Sequence, residues 1–357
     1  MNKNRLLVIV LCLLGLLGPA VYGYPLTLVL GLLGGGTAFE SPEDGRDALP
    51  LAAVNLLGGW RDALPAGGYL GLAASARLLS YLAFPVILAD SEKLALEAGL
   101  PLRCGWVELD GSLDASIMGD GENPAHLEPR WQAGLRLGGG AVQGLLSYRG
   151  SYLYQPDDVE DFLYQGLKLG VEWERSIRLG LRAGVEGGWE YWPDYSLLGS
   201  GGVPTGVPRQ DALGGLTVGL DGLAGFFLDW SVEASAGLRW STANRYPSVV
   251  VGLEEDSENN LYAELRAAAD WSPHRTVGLR LTGFLRPEWY LARAALTAAG
   301  TGELLRVLSL GLKARADWTP NDRLFLVLEG AAGSRLANDP EEERWNATVL
   351  AGVEYSY

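Results

Sequence analysis

Two histidines are the first side chains to consider as catalytic groups, because histidine is the commonest general base near neutral pH. His126 lies near Asp120, Glu122 and Asn123, and His274 lies in the polar turn at residues 272–275. A histidine in such a loop is usually a solvated side chain, and no pair of aspartates stands out beside either one. We therefore predict no catalytic residues and no enzyme activity, while composition alone leaves an aspartate–histidine mechanism open.

Three acidic clusters, at residues 157–161, 254–258 and 341–343, are the candidate metal ligands. Carboxylate oxygens bind divalent cations, but none of the clusters has the fixed ligand spacing of a calcium loop. The simpler interpretation is that they keep exposed loops soluble. The chain has two cysteines, and Cys104 alone follows the N-terminal apolar stretch described below. The sequence therefore predicts no intramolecular disulfide, no metal site and no cofactor.

The elements that carry these residues are long strands with a two-residue period. In residues 226–240, apolar side chains from Phe226 to Trp240 alternate with polar ones, among them Asp229, Glu233 and Arg239. Such alternation also occurs in soluble β-sandwiches and propellers, because it shows only that one face is apolar. Here the apolar face has an aromatic residue near each end. The eleven residues 230–240 would cross a band of about 25 Å, the height of the apolar zone of a transmembrane β-barrel.

The same pattern recurs along the chain, in residues 261–271, 304–318 and 345–357 most clearly. Arg306 is a basic residue on an apolar face, which is tolerable near a membrane rim. Aromatic residues mark the ends of the apolar faces and predict two membrane girdles. The predicted girdle residues are Trp173, Trp230, Trp240, Trp271, Trp318, Trp345, Tyr355 and Tyr357.

The opposite faces of these strands carry charges of both signs, which predicts a wet lumen. The candidate pore-lining residues are Lys168, Glu172, Arg178, Arg182, Glu186, Glu233, Glu264, Arg266, Arg280, Arg286, Lys313, Arg315 and Glu329, with Asp270 and Asp317 on the same faces. Basic residues concentrate on three strands, so that opposite walls could differ in sign and set a field across a pore. Alternatively, the charges pair with one another and fill a narrow lumen.

The N-terminus has the pattern of an export signal over residues 1–23, with Lys3 and Arg5 before an apolar stretch at residues 6–17. A rival interpretation is an uncleaved anchor, since no charged residue occurs from residue 6 to 39. Loss of the signal changes the formal charge from 28 − 43 = −15 to 26 − 43 = −17. A chain this acidic is not expected to bind nucleic acid.

Twelve strands are predicted from residue 107 onward, at residues 107–118, 130–137, 141–152, 162–173, 177–190, 212–222, 226–240, 261–271, 276–286, 304–318, 323–335 and 345–357. Four more are predicted at residues 24–33, 51–60, 68–82 and 92–102. The fold class is therefore all-β, a transmembrane antiparallel up-and-down barrel with sixteen strands as the best prediction. Twelve or fourteen strands remain possible if residues 24–104 form a plug or a periplasmic segment.

The predicted connections alternate between short turns and longer polar links, as in barrels with short periplasmic turns and long outer loops. The tight turns are predicted at residues 138–140, 174–176, 222–225, 272–275 and 319–322. The long links are predicted at residues 119–128, 153–161, 191–211, 241–258, 287–303 and 336–344.

The export signal, the alternating strands, the aromatic girdles and the terminal Val353, Tyr355, Tyr357 pattern resemble the bacterial outer-membrane β-barrel family, and porin-like channels in size. The resemblance covers residues 24–357. It implies the outer membrane of a bacterium with a double-membrane envelope, contact with outer-membrane lipids, and recognition of the last strand by the barrel assembly machinery. The expected function is passive diffusion of small hydrophilic solutes or ions, with a possible homo-oligomer. The alternatives are a transporter of hydrophobic compounds and a closed structural or adhesive barrel.

Overall fold

A computed structural model shows a barrel that is built almost entirely from strands. The structure describes residues 26–41, 45–64, 67–81, 87–102, 105–116, 126–138, 141–155, 161–176, 179–199, 202–248, 252–254, 256–295 and 303–356. No helix in this described part is long and apolar enough to cross a membrane. The predicted signal at residues 1–23 and Tyr357 lie outside the described residues.

Sixteen of the strands close into one barrel, and two short ones form a separate hairpin. The barrel strands are β1 Leu26–Ser41, β2 Gly45–Ala63, β3 Tyr69–Tyr81, β4 Ile87–Leu102, β5 Gly105–Ser116, β6 His126–Leu137, β7 Val142–Leu153, β8 Phe162–Ser176, β9 Leu179–Leu198, β10 Pro204–Ala224, β11 Leu228–Ser241, β14 Asn260–His274, β15 Val277–Ala294, β16 Leu304–Asn321, β17 Leu324–Ala337 and β18 Arg344–Ser356. The hairpin is β12 Arg245–Ser248 and β13 Gly252–Glu254, and a short 3₁₀ helix spans Pro340–Glu342.

Every barrel strand pairs antiparallel with its neighbours, and β1 pairs with β18 to close the ring. In that closing pair, Leu33 lies opposite Gly352 and Ala38 lies opposite Ala347. Closure leaves no strand edge, so that all backbone N–H and C=O groups of the wall have partners inside a lipid bilayer. The closed ring is the structural reason that the alternating strands can cross a membrane.

The two faces of each strand differ as the two-residue period predicts. On β11, the outward Val232, Leu238 and Trp240 are exposed, whereas the inward Glu233 and Arg239 are half-buried. Trp240 has 61% of its surface exposed, which a soluble protein would avoid for so large an apolar side chain. The barrel is therefore apolar outside and polar inside.

Adjacent residues of β11 provide a direct test of this orientation. A cysteine that replaces the inward Ser235 is expected to react with a water-soluble maleimide, and a cysteine that replaces the outward Ala236 is expected to stay unlabelled in lipid vesicles. Both variants are made after replacing Cys12 and Cys104 with serine, and labelling is read by mass spectrometry. Equal labelling in lipid would contradict the assigned faces, and equal labelling after unfolding is the control.

The described residues between 26 and 102 form the first four strands of the wall, β1 to β4. The predicted count of sixteen strands is thereby confirmed, and the alternative of a plug or periplasmic segment in this region is wrong for the residues described. The weaker alternation here has a physical cause. The inward faces of β1 and β2 carry apolar or small side chains such as Leu33, Ala53 and Leu57, so that both faces are apolar.

The strands extend further into the predicted links than the sequence indicated. The long link at residues 191–211 is mostly strand, since β9 ends at Leu198 and β10 begins at Pro204. Likewise β15 continues to Ala294, and the link at residues 241–258 contains β12 and β13. Beyond the membrane both faces of a strand meet water, so the alternation disappears from the sequence while backbone pairing continues.

Apolar side chains meet inside the barrel where the chain closes. Leu33, Ala53, Val327 and Leu350, from β1, β2, β17 and β18, form a buried cluster against Phe325. Their contact across several strands requires tight curvature of the wall at this seam. A second cluster, Tyr290, Ala295, Leu305 and Val307, lies at the outer end of β15 and β16. Inward charges also reach this seam, because Glu354 of β18 lies opposite Gly31 of β1.

Candidate functional site: the inner wall of the barrel

The strand registers place the predicted pore-lining residues on the inward face. Glu233 lies opposite Arg266, Lys168 opposite Glu186, and Arg315 opposite both Arg280 and Glu329. Residues that lie opposite each other share one face of the sheet. By this criterion the inward residues are Lys168, Glu172, Arg182, Glu186, Glu233, Glu264, Arg266, Arg280, Arg286, Lys313, Arg315 and Glu329. Arg178 lies outside the described residues, and contact of any of them with a solute stays a prediction.

Ion pairs connect most of the inward arginines to carboxylates on neighbouring strands. Arg182 and Asp221 lie on adjacent strands at 3.2 Å, and Arg280 and Asp270 at 3.0 Å. Other arginines reach two strands away. These longer pairs are Arg149–Glu186 at 2.5 Å, Arg136–Glu172 at 3.4 Å, Arg239–Glu190 at 3.1 Å and Arg315–Glu354 at 2.6 Å. The inner wall thus carries a connected ladder of paired charges, and not one basic and one acidic wall.

Arg315 on β16 is the most connected group of this ladder. It contacts Asp317 at 2.8 Å, Glu329 at 2.7 Å and Glu354 at 2.6 Å, and its side chain is 29% exposed. Glu329 also pairs at 3.5 Å with Arg77 of β3. In the ring order, β2, β1 and β18 separate β3 from β17, so this pair crosses the lumen beside the apolar seam.

Some lysines and a few carboxylates on the inner wall do not belong to the ladder of ion pairs. Within the described part of the chain, Lys93, Lys168, Lys313, Asp110 and Glu233 make no ion pair. These side chains have both signs and lie on different strands. Their charges are the ones that a passing ion meets without compensation by a neighbour.

Several inward charges were missed by the sequence analysis. Those in strands already predicted include Asp110, Arg130, Arg136, Arg149 and Glu190. The signal that could have found them is the outward Trp131, because Arg130 and Gln132 on either side of it must then face inward. Asp211 lay in a predicted link, where no alternation showed which face it belonged to.

A buried polar network holds the outer rim between β9, β10 and β11. The carboxylate of Asp211 accepts hydrogen bonds from the Arg209 guanidinium, at 3.0 and 3.2 Å from Nε and 2.6 Å from Nη2, and from Ser241 Oγ. Arg239 Nη1 lies 3.7 Å away. The Asp211 side chain is fully buried, and the Arg209 guanidinium lies 4.6 Å from the centre of the Trp192 ring.

Arg209 lies three residues before Ala212, which is the register partner of the girdle residue Trp240, and so lies beyond the membrane-spanning zone. Burial lowers the pKa of the Arg209 guanidinium, but the hydrogen bond and charge of Asp211 raise it by more. The net pKa of Arg209 is above the ordinary value, and the guanidinium stays charged at any physiological pH.

The segment after β11 is anchored to this rim. Asn244 exchanges two hydrogen bonds of 2.7 Å with the backbone of Leu198, and its carbonyl accepts a hydrogen bond of 3.2 Å from Tyr195 Oη. Ser257 N–H donates to the carbonyl of Ala243 at 2.8 Å. Ala243 and Ser257 are buried, so that this part of the β11–β14 connection packs against the barrel mouth and does not project into solvent.

Aromatic rings on the inner wall lie against glycines. A Cβ atom on Gly188 would lie 2.8 Å from Tyr164 Cε2, and one on Gly166 would meet the Tyr164 hydroxyl. Glycine is therefore needed at both positions for the Tyr164 ring to rest on the wall. Tyr262 lies against Gly237 and Phe284 against Gly311 in the same way.

The lumen contains chambers between these groups. One of about 1150 Å³ is lined by inward residues of β2 to β9, including Lys93, Asp110, Gln132, Arg149 and Tyr164. Another of about 720 Å³ lies beside β11 and β14 to β18, with Arg182, Glu233, Arg266, Phe284 and Lys313 in its lining.

The remaining predicted residues have simple environments. His126 Nε2 lies 3.9 Å from Asp114, and His274 Nδ1 lies 2.8 Å from Thr276 Oγ1 at a turn. In the described part of the chain, no three His, Cys, Asp or Glu side chains are grouped so as to hold a metal ion. The outward face carries Trp173, Trp230, Trp240, Trp271, Trp318, Trp345 and Tyr355.

Comparison with known proteins finds solved structures of similar fold and no protein of related sequence. No protein-family model and no curated protein sequence match the chain. Among solved structures, Acinetobacter baumannii OccAB1 has a TM-score of 0.50 at 8% identity, with 93% of this chain and 96% of that chain covered. OmpT with loop L8 deleted, an outer membrane protein of Vibrio cholerae, has a TM-score of 0.45 at 10% identity and coverages of 93% and 99%. A mutant Rhodopseudomonas blastica porin has a TM-score of 0.36 at 11% identity and coverages of 93% and 100%.

The chain is a closed antiparallel β-barrel of sixteen strands, with a fold similar to that of OccAB1. At these identities the likeness extends to the fold alone. The strand order confirms the predicted all-β antiparallel barrel, and about nine of every ten aligned residues differ between this chain and the structures named above. The side chains of this chain determine which solutes its lumen admits.

Proposed function

We propose that this protein is an outer-membrane channel through which small hydrophilic solutes and ions diffuse passively. The observation that carries the proposal is the inversion of polarity, with exposed apolar side chains outside and a ladder of charged side chains inside a closed sixteen-stranded ring. Water reaches this inner wall, since Arg136 and Arg149 are 41% and 40% exposed, and unpaired charges such as Lys168 and Glu233 would cost several kcal/mol each without solvation. A barrel of about sixteen strands is wide enough for an aqueous channel.

The other two functions considered from the sequence have less support. A transporter of hydrophobic compounds needs an apolar path, and the two buried apolar clusters are separate, one at the β1–β18 seam and one at the outer end of β15 and β16. A closed structural barrel needs a filled lumen, whereas chambers of about 1150 and 720 Å³ lie along this one. A channel is the function that fits both observations.

The proposal also includes the membrane, the export signal and the partners of the channel. The outward aromatic girdles suit the lipids of the outer membrane of a bacterium with a double-membrane envelope. The last strand, β18, which carries Tyr355, would be read by the barrel assembly machinery, and residues 1–23 would be the export signal. We propose transport without catalysis, no nucleic-acid partner, and association of copies into a homo-oligomer.

Single-channel recording tests the proposal. The refolded protein is inserted into a planar bilayer, and a salt gradient gives the preferred sign of the permeating ion. We expect discrete, stable openings with weak ion selectivity, because most lumen charges are paired within the ladder. A protein that inserts and shows heat-modifiable migration on a gel, yet never conducts, would contradict the channel.

A further inference from the structure

The large chamber beside β2 to β9 has almost no net charge available to a solute. Arg61 pairs with Glu97 at 3.5 Å, Arg130 with Glu128 at 2.5 Å, and Arg149 with Glu186 at 2.5 Å. Among its described lining residues, Lys93 and Asp110 are left without an ion pair, one of each sign. Paired charges offer little long-range attraction to an ion, so this chamber has no reason to retain a solute of either charge.

The chamber nevertheless presents many hydrogen-bonding groups in a row. Asp110 of β5 lies opposite Gln132 of β6, and Gln132 lies opposite Arg149 of β7, all facing inward. The Asp110 carboxylate and the Gln132 amide make no hydrogen bond to another described side chain. The row therefore offers an acceptor and an amide beside the Arg149 guanidinium, which itself contacts Glu186 and donates to the Tyr164 hydroxyl at 3.3 Å. Hydroxyl groups, which both donate and accept, match such a mixed set.

An aromatic platform stands at the end of this row. Arg149 lies opposite Gly166, and Gly166 opposite Gly188, so that the two glycines on which the Tyr164 ring rests continue the same line. Phe162, two residues earlier on the same face of β8, packs on Trp192 with ring centres 4.7 Å apart. Three strand spacings of about 4.8 Å separate Asp110 from this platform, which gives about 14 Å.

We propose that this chamber binds uncharged polyhydroxylated solutes, oligosaccharides in particular, with Tyr164 as the stacking platform and Asp110 and Gln132 as hydrogen-bonding partners. The C–H face of a sugar ring carries slight positive charge and is attracted to the negative face of an aromatic ring. A volume of about 1150 Å³ admits a solute of several rings, since drug-sized ligands occupy about 300–1,000 Å³. The proposal rests on the channel function and specifies its solute.

The test is block of the ion current by three trisaccharides of different charge: maltotriose, trigalacturonate and triglucosamine. Maltotriose is expected to reduce the open-channel current in a saturable manner and at lower concentration than either charged trisaccharide. In Tyr164→Ala, the half-blocking concentration of maltotriose is expected to rise about tenfold, in keeping with one lost stacking contact. If the alanine variant does not refold, Tyr164→Leu keeps apolar bulk without the flat ring and is read in its place.

Phe284→Ala is the matched control. Phe284 is also an inward aromatic ring that lies against a glycine, but it lines the other chamber and is 42% exposed. Its loss is expected to change maltotriose block less than about twofold. A channel that conducts but is not blocked by maltotriose would overturn the solute assignment and leave the channel standing. Block that is unchanged in Tyr164→Ala, or strongest with a charged trisaccharide, would also overturn it, whereas absence of any conductance defeats the channel itself.

Discussion

Replacement of Asp211 with alanine is expected to lower the free energy of unfolding by about 3–5 kcal/mol, the cost of removing one partner of a buried ion pair. The Asp211 side chain is fully buried and the Arg209 side chain is 9% exposed, so the guanidinium would keep its charge without its hydrogen-bonded carboxylate. Ser241 would lose its acceptor as well. Urea unfolding of the protein refolded in lipid vesicles measures the change.

Asp221→Ala is the control for this prediction, since it makes the same substitution on the same face of β10. Asp221 pairs with Arg182 at 3.2 Å, but its side chain is 47% exposed and that of Arg182 is 42% exposed. An ion pair in contact with water contributes at most about 1 kcal/mol. Equal destabilisation by the two substitutions would show that burial of the rim network does not matter to stability.

Arg315→Met is expected both to destabilise the barrel and to shift the channel toward cations. The substitution leaves Asp317, Glu329 and Glu354 close together on the inner wall without their shared cation. Because Arg315 is 29% exposed to a wet lumen, the expected loss is about 1–3 kcal/mol, less than for a fully buried pair. The reversal potential in a salt gradient and urea unfolding are the two measurements.

Lys313→Met separates the two effects of this substitution. Lys313 lies two residues before Arg315 on the same face of β16 and makes no ion pair with the described residues. Its removal takes the same formal charge from the lumen without leaving carboxylates uncompensated. We expect a shift of the reversal potential in the same direction, with unfolding unchanged within about 0.5 kcal/mol. A stability loss as large as that of Arg315→Met would argue against the ion-pair ladder as a source of stability.

The sequence predicted the inner face well wherever a girdle residue marked the outer one. Trp230 and Trp240 at the ends of the outward face of β11 assign Glu233 to the lumen without further information. The alternation was weakest at β1 and β2, where apolar residues occupy both faces, and it did not extend to the outer tails of β9 and β10, where water contacts both faces. In each case the two faces of the strand have similar polarity, so the sequence lacks the alternation of apolar and polar residues that marks a strand.

The rim network could not be predicted, because it depends on where tails of three strands meet. Arg209 and Asp211 are two residues apart in a segment predicted as a link. Their burial arises because β10 continues outward beyond the membrane and the segment after β11 packs on it through Asn244. Two opposite charges that are two residues apart do not by themselves predict a buried ion pair. The pair is buried only because β10 continues there and the segment around Asn244 packs on it.

The sequence by itself determined the class of architecture, the inward or outward direction of most side chains and the level of the girdles. These follow from a period of two residues and from the preference of Trp and Tyr for the membrane interface, both of which are local properties. Only the tertiary structure decided which charges meet. Arg149 pairs with Glu186 two strands away, and Arg77 reaches Glu329 across the seam. Long side chains on a curved wall find partners that depend on strand order, register and curvature, and these are set by closure of the whole ring.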